Sequence, residues 1–210
     1  ETDLILGVYK KNSSNLIYNF SIFTILVVII LILNLFSYDD NYIFGESYRI
    51  DGLSSFMKIL TLLFAFFVML SSSKYLKSNK IFHIEYPVLI LGSIIGMMVM
   101  ISSNDLIVFY VGLELQSLSL YVLAAFNRDN LLSSESGVKY FILSALSSGL
   151  LLYGCSLIYG FSGSTNFNQI AYNLSTEQYI VTFGIVFIIV GLAFKISAVP
   201  FHMWAPDVYQ

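Results

Sequence analysis

The sequence predicts an all-α polytopic membrane protein, and three observations predict it. Of the 210 residues, 57% are hydrophobic and 11% charged, where a soluble domain carries roughly 25% charged residues. The mean hydropathy is +0.80. The apolar residues gather into runs of about 20, the length that crosses a bilayer as a helix. Each run is continuous in Leu, Ile, Phe and Val, where the strands of a membrane barrel would alternate.

Polar punctuation divides the chain into six spans. Leu16 to Phe36 comes first, followed by an acidic loop holding Asp39, Asp40, Glu46 and Asp51. Gly52 to Leu70 is the second span; Lys58 lies inside it and reads as structural, snorkelling toward the nearer surface. Tyr86 to Ile101 is short, and the SSND turn at Ser102 to Asp105 joins it to Asp105 to Phe126 as a tight antiparallel hairpin. Ser136 to Gly160 and Tyr179 to Val199 complete the set, separated by the Gly, Ser and Asn-rich stretch Ser162 to Asn173. The spans form one transmembrane helical domain over residues 1–210. The chain opens on Glu1 and runs off at Gln210 after a motif-like stretch, which reads as a piece of a longer protein, incomplete at both ends. Leu4 to Val8, followed by Lys10 and Lys11, reads as the tail of a preceding span; no signal-peptide pattern is present.

Charge sets the orientation, because cytoplasmic loops carry the excess of Lys and Arg. Alternate loops place Lys10, Lys11, Lys74, Lys77, Lys80 and Arg128 on one side, and Arg49 among acids on the other. The first side is expected to be cytoplasmic, or to face the matrix in a mitochondrion. The formal net charge of -3 is spread thinly and gives no nucleic-acid surface. A single cysteine, Cys155, rules out an internal disulfide framework or cysteine cluster. Tyr18, Tyr42, Tyr48, Tyr75, Tyr86, Tyr172 and Tyr179 fall near span ends, where an interfacial belt is expected.

Glu114 lies deep in an apolar run, nine residues from Asp105, the nearest other charge. A carboxylate at the centre of a bilayer helix costs on the order of 3 kcal/mol and demands a partner. Tyr110, Glu114, Ser117 and Tyr121 share one helical stripe, which points them to a protein or water-filled interior. A neutral, hydrogen-bonded packing acid is the bland alternative. Lys195 is the obvious partner: it ends a long apolar stretch on a face with Gly184, Gly191 and Ala198, where another helix can approach closely. Pro200 predicts a break just beyond it, tolerated at membrane depth only where backbone is buried or lines a cavity. Snorkelling of Lys195 to the cytoplasmic surface is the competing reading. Lys139 follows Glu135 by four residues, and spacing alone favours an ordinary ion pair at a helix end. His202 and Asp207 flank Trp204 in FHMWAPD, fit either to pass protons or to anchor a break. There is no phosphate loop and no metal-ligand spacing, and His83 sits in a polar loop without a second histidine near it. An acid and lysines buried in a helical bundle are the equipment of proton or cation translocation.

The segments RIDGLSSF (Arg49 to Phe56), FYVGLELQSLSLYVLAAF (Phe109 to Phe126), SGVKYFILSALSSGLLLYG (Ser136 to Gly154) and GLAFKISAVPFHMWAPDVYQ (Gly191 to Gln210) carry a resemblance. Together they resemble the subunit N family of the proton-pumping NADH:quinone oxidoreductases, respiratory complex I, whose mitochondrial counterpart is NADH dehydrogenase subunit 2. The resemblance runs from about Leu16 onward, and the ending PFHMWAPDVYQ is its most specific part. It implies a longer subunit of antiporter-like inverted repeats, each with a broken helix, in a bacterial inner or mitochondrial inner membrane. Glu114 falls on the family's intramembrane glutamate, Lys195 on the broken-helix lysine that pairs with it, and Lys139 on a further intramembrane lysine. The resemblance implies other complex I membrane subunits as partners and no redox centre in this chain, with NADH, FMN, iron-sulfur clusters and quinone held by partner subunits. A secondary cation/proton antiporter and a structural scaffold are the readings from other classes. Under the first reading Glu114 and Lys195 are expected within ion-pair or single-water distance.

Overall fold

The computed structural model describes residues 14–36, 40–79, 81–173 and 179–209. Leu4 to Val8, Lys10, Lys11, Asp39 and Lys80 lie outside these residues, so expectations resting on them are left where the sequence put them. The described chain runs α1 (Ser14–Asn34), β1 (Asn41–Ile43), β2 (Tyr48–Ile50), α2 (Gly52–Ser78), α3 (Glu85–Ile101), α4 (Leu106–Ala124), α5 (Leu131–Ser162), α6 (Phe167–Asn173), α7 (Tyr179–Lys195) and α8 (Ala205–Tyr209). Four helices, α1, α2, α4 and α5, are long and apolar enough to cross a membrane, and α3 and α7 are shorter apolar helices. This is a helical membrane protein. The hairpin of β1 and β2 is a small departure from an all-α chain that run lengths did not reveal; Tyr42 pairs with Arg49 across it.

Two helices extend beyond their apolar runs. The expected second span ends at Leu70, but α2 continues through the polar SSSKYLKS to Ser78, with Lys77 in its last turn beside the unsatisfied carbonyls. α5 begins at Leu131, ahead of the expected Ser136, because Asn130 caps it by accepting the Leu132 amide at 3.0 Å. The start of α2 is fixed in the same way by a reciprocal capping box between Asp51 and Ser54.

Small residues let the helices meet. A side chain on Gly96 of α3 would fall 2.5 Å from the Gln116 amide of α4, and one on Gly154 of α5 would fall 2.7 Å from the Gly184 carbonyl of α7. Backbones this close gain dispersion contacts along the whole crossing. Gly191 of α7 also lies against α5, where its carbonyl accepts the Ser147 hydroxyl at 3.1 Å. Three apolar clusters follow: Tyr18, Ile25, Leu62, Met69 and Ile94 among α1, α2 and α3; Leu113, Leu151, Cys155 and Ile158 between α4 and α5; and Tyr121, Tyr140, Phe194 and Trp204 at one end of α4, α5 and α7. Large apolar residues such as Phe23, Phe64, Phe67 and Phe183 face outward, over a surface that lipid solvates.

Tyrosine placement corrects the expected belt in part. Tyr75 and Tyr172 are exposed, but Tyr18 is 3% exposed and donates to the Met69 carbonyl, with Ser72 at 2.9 Å. Tyr86 stacks on Tyr18, and Tyr48 accepts from Lys58 at 3.1 Å. The side chain of Tyr179 is outside the described residues.

Candidate functional site

The structure brings Lys195 and Glu114 together inside the bundle. Lys195 Nζ lies 3.2 Å from Glu114 Oε1, with side-chain exposures of 12% and 22%. Three hydroxyls complete the surroundings: Ser117 Oγ at 2.9 Å, Tyr121 OH at 3.1 Å and Ser144 Oγ at 2.9 Å. An ammonium has three hydrogens, so these acceptors leave no N–H of Lys195 without a partner. Glu114 also accepts from the Ser148 hydroxyl, and Tyr121 and Ser144 bond each other. Burying a charge is tolerable when it is paired and hydrogen-bonded in this way.

Each element contributes for a local reason. On α4, Glu114, Ser117 and Tyr121 lie on one face, and Gly112 packs that helix closely against α3. On α5, Ser144 and Ser148 stand four residues apart on the face toward α4. On α7, Gly184 and Gly191 press one face against α5 and carry Lys195 into the groove between α4 and α5. Lys195 is the last residue of α7, yet its side chain tilts toward the helix N-terminus, as every helical side chain does. The ammonium reaches Ser117 of α4 at 2.9 Å.

α7 ends by a mechanism the sequence reading did not name. Ser197 takes φ 55°, its amide bonds the Phe194 carbonyl at 3.1 Å, and the Ala198 amide bonds the Ala193 carbonyl at 2.8 Å. This is a Schellman stop with serine in the left-handed position. The helix is thus closed before Pro200, whose missing N–H is not what ends it. The Phe194 carbonyl also accepts the Trp204 indole N–H at 3.1 Å. Ala198, expected on the small-residue face, lies beyond the helix.

A second charged group lies nearer the lysine-rich side. Lys139 Nζ is 2.8 Å from Glu135 Oε1 and 2.9 Å from Asp207 Oδ2. The side chains of Lys139, Glu135 and Asp207 are 46%, 60% and 39% exposed, so solvent screens this bridge as it does not screen Lys195. The group borders a cavity of about 450 Å³ that also touches Ser72, Tyr86 and Asn127. Lys139 and Lys195 belong to separate groups with no shared partner among the described residues. His202 is exposed and joins neither group. Tyr110 shares the stripe of Glu114 but packs with Leu113 and Cys155. His83 is exposed with its ring 6.0 Å from Phe126. Among the described residues no cluster of three or more His, Cys, Asp or Glu is placed to hold a metal ion.

Ser144 and Ser148 were not singled out from the sequence. A serine inside an apolar helix ordinarily bonds its own helix carbonyl, as Ser21, Ser93 and Ser117 do. The available signal was their four-residue spacing within SALSSG.

Residues 103–210, which hold every group of both charged clusters, match the family described as NADH:quinone oxidoreductase/Mrp antiporter, TM. The chain belongs to this family. Within it, the NADH-quinone oxidoreductase subunit N of Pelagibacter ubique (strain HTCC1062) is 69% identical over 207 residues, 99% of this chain and 44% of that protein. A chain of respiratory complex I from Thermus thermophilus with bound Aureothin superposes with a TM-score of 0.83 at 27% identity, over 100% of this chain and 44% of that one. A chain of the Mrp complex from Dietzia sp. DQ12-45-1b superposes with a TM-score of 0.70 at 22% identity, over 98% and 38%, a likeness of fold alone. The chain thus spans less than half the length of the relatives it matches.

Proposed function

We propose that this chain is part of a proton-translocating membrane subunit of a bacterial NADH:quinone oxidoreductase, of the subunit N type, and that Glu114 and Lys195 are its proton-handling pair. The carrying observation is the Lys195 ammonium, 3.2 Å from Glu114 and ringed by hydroxyls in a bundle interior. Relatives named NADH-quinone oxidoreductase subunit N, matching 99% of the chain, support the assignment. The chain sits in the bacterial inner membrane with Lys74, Lys77 and Arg128 on the cytoplasmic side. Residues 1–210 make one transmembrane domain of six spans, in which α7 and α8 are the two parts of a broken helix belonging to an inverted repeat. NADH, FMN, iron-sulfur clusters and quinone are handled by partner subunits, and other membrane subunits adjoin this one.

The mechanism is electrostatic. At an effective dielectric near 20, two unit charges moved from about 3 Å to about 7 Å apart lose about 3 kcal/mol of attraction. Separation of Glu114 from Lys195 is thus the step that moves a proton through this pair. The three hydroxyls hold the ammonium while the pair is closed. Lys139, with Asp207 and Glu135 beside the cavity, relays protons on the cytoplasmic side. His202, exposed beside the break, is a subsidiary candidate.

NADH-driven proton uptake into vesicles holding the intact complex tests this. Glu114→Gln and Lys195→Ala, introduced into the full-length parent, should each lower pumping at least tenfold while the complex still assembles. Unchanged pumping in both would reduce the chain to a scaffold. If the native complex purifies without NADH-oxidising subunits, a secondary cation/proton antiporter is the correct reading.

A further inference from the structure

One buried side chain anchors the described segment after α7. From Ile196 to Tyr209 Trp204 alone is buried, at 5% exposure, whereas Ile196, Val199 and Met203 are 77%, 81% and 75% exposed. Its indole N–H donates to the carbonyl of Phe194, the residue directly before Lys195. Its ring lies parallel to Tyr140 at 4.3 Å, and Tyr140 meets Tyr121 edge-on at 4.7 Å. The hydroxyl of that same Tyr121 accepts from Lys195.

Trp204 also starts α8. Its carbonyl accepts the Val208 amide at 3.3 Å, and Asp207, within the same turn, bonds Lys139 at 2.9 Å. Lys139 is in turn the chain neighbour of Tyr140. Both charged groups are therefore tied at short range to one aromatic stack: Lys195 through Phe194 and Tyr121, Lys139 through Tyr140, and Asp207 through Trp204 itself. A displacement of α8 cannot leave Trp204 in place, and a displacement of Trp204 pulls on the end of α7. Phe201, Ala205 and Val208, only partly buried, pack against the same aromatic cluster around Trp204.

We propose that Trp204 is a positioning residue: it clamps the end of α7 so that Lys195 faces Glu114, and it makes the Asp207–Lys139 bridge and the Glu114–Lys195 pair shift as one unit. This rests on the reading of Glu114 and Lys195 as the proton-handling pair. The coupling itself can be read without pumping. Two connected sites qualify as coupled only if a change at one alters the other through the element that joins them.

The test uses the full-length parent in its intact complex, as wild type, Trp204→Phe, Asp207→Asn and the double variant. Trp204→Phe keeps a ring on Tyr140 and removes the N–H; Trp204→Tyr does the same and stands in if the first does not assemble. The carboxyl infrared bands of Glu114 are identified by difference against Glu114→Gln. Asp207→Asn should move those bands in the wild-type background and leave them unmoved when residue 204 lacks the indole N–H. Pumping per assembled complex should fall about fivefold in Trp204→Phe, the size expected from one net hydrogen bond. An equal band shift in both backgrounds overturns the proposal, as does a variant that lowers only the amount of assembled complex. If the infrared coupling is present but Glu114→Gln pumps normally, the clamp stands and the proposed function falls.

Discussion

Lys195 and Glu114 are each tolerable in the bundle only because of the other. Removing one leaves the survivor buried and unpaired, a change that typically costs 3–5 kcal/mol in a buried ion pair. The two substitutions should therefore be non-additive: Glu114→Ala with Lys195→Ala should lower pumping clearly less than the product of the single effects. Simple multiplication in the double variant, with assembly intact, would show that the two charges work independently. Asp51 allows a separate test at the membrane surface. It accepts the Ser54 amide at 2.7 Å, and its carboxylate lies 3.3 Å from Arg49. The Ser54 amide bond holds the Asp51 carboxyl below the usual carboxylate range against the opposing effect of burial, and Arg49 adds to the lowering. A folded-state value below the unfolded one, about 4, contributes stability that is present above that value and lost as pH falls through the folded value. Asp51→Ala should thus cost about 1 kcal/mol near neutral pH, the usual value of an N-cap. The gap from the parent should narrow as melts in detergent are taken from about pH 4 downward; a gap independent of pH would contradict the assignment.

At the scale of the element, α7 shows how a helix end places a charge. The stop at Ser197 needs a left-handed residue, and serine adopts it at φ 55° without the freedom of glycine. Ser197→Gly should therefore raise thermal stability by about 0.5–1 kcal/mol, the relief of the side-chain clash less the greater entropy of the unfolded chain. Ser197→Val should lower it, because a branched side chain is poorly tolerated at positive φ. Equal melting temperatures for the three proteins would mean that α7 is not terminated by this residue. The break near Pro200 was legible because proline announces itself. Its true position was not, since a Schellman stop on serine lacks the glycine by which such ends are read.

At the scale of the whole molecule, three loops on the side opposite Lys74 and Lys77 are stitched together. The Glu46 carbonyl accepts Asn104 Nδ2 at 2.9 Å and Asn166 Nδ2 at 3.2 Å. Arg49 bonds the Ser102 carbonyl at 2.8 Å, Leu106 bonds the Thr165 carbonyl at 2.9 Å, and the Thr165 hydroxyl donates to Asp105. These contacts join the hairpin, the α3–α4 turn and the loop before α6, and so fix the relative heights of helices that otherwise slide on apolar faces. Asn104→Ala and Asn166→Ala should each lower stability by about 1 kcal/mol. The double variant should cost less than the sum, because both amides share one carbonyl. Full additivity in detergent melts would indicate that Glu46 does not join the two.

The sequence by itself determined that the chain is a helical membrane protein and that Glu114 and Lys195 each needed a partner. Those features follow from quantities local in sequence: run length, helical spacing and the cost of an isolated charge in hydrocarbon. Tertiary structure alone decided that Ser144 and Ser148 complete the site. A serine can bond its own helix or reach across, and the register of α5 against α4 selects the second. It also decided that Lys139 answers to Asp207 as well as to Glu135. Residues 139 and 207 become neighbours only because α7 stops at Ser197 and the chain returns through Trp204, a path that no spacing in the sequence encodes.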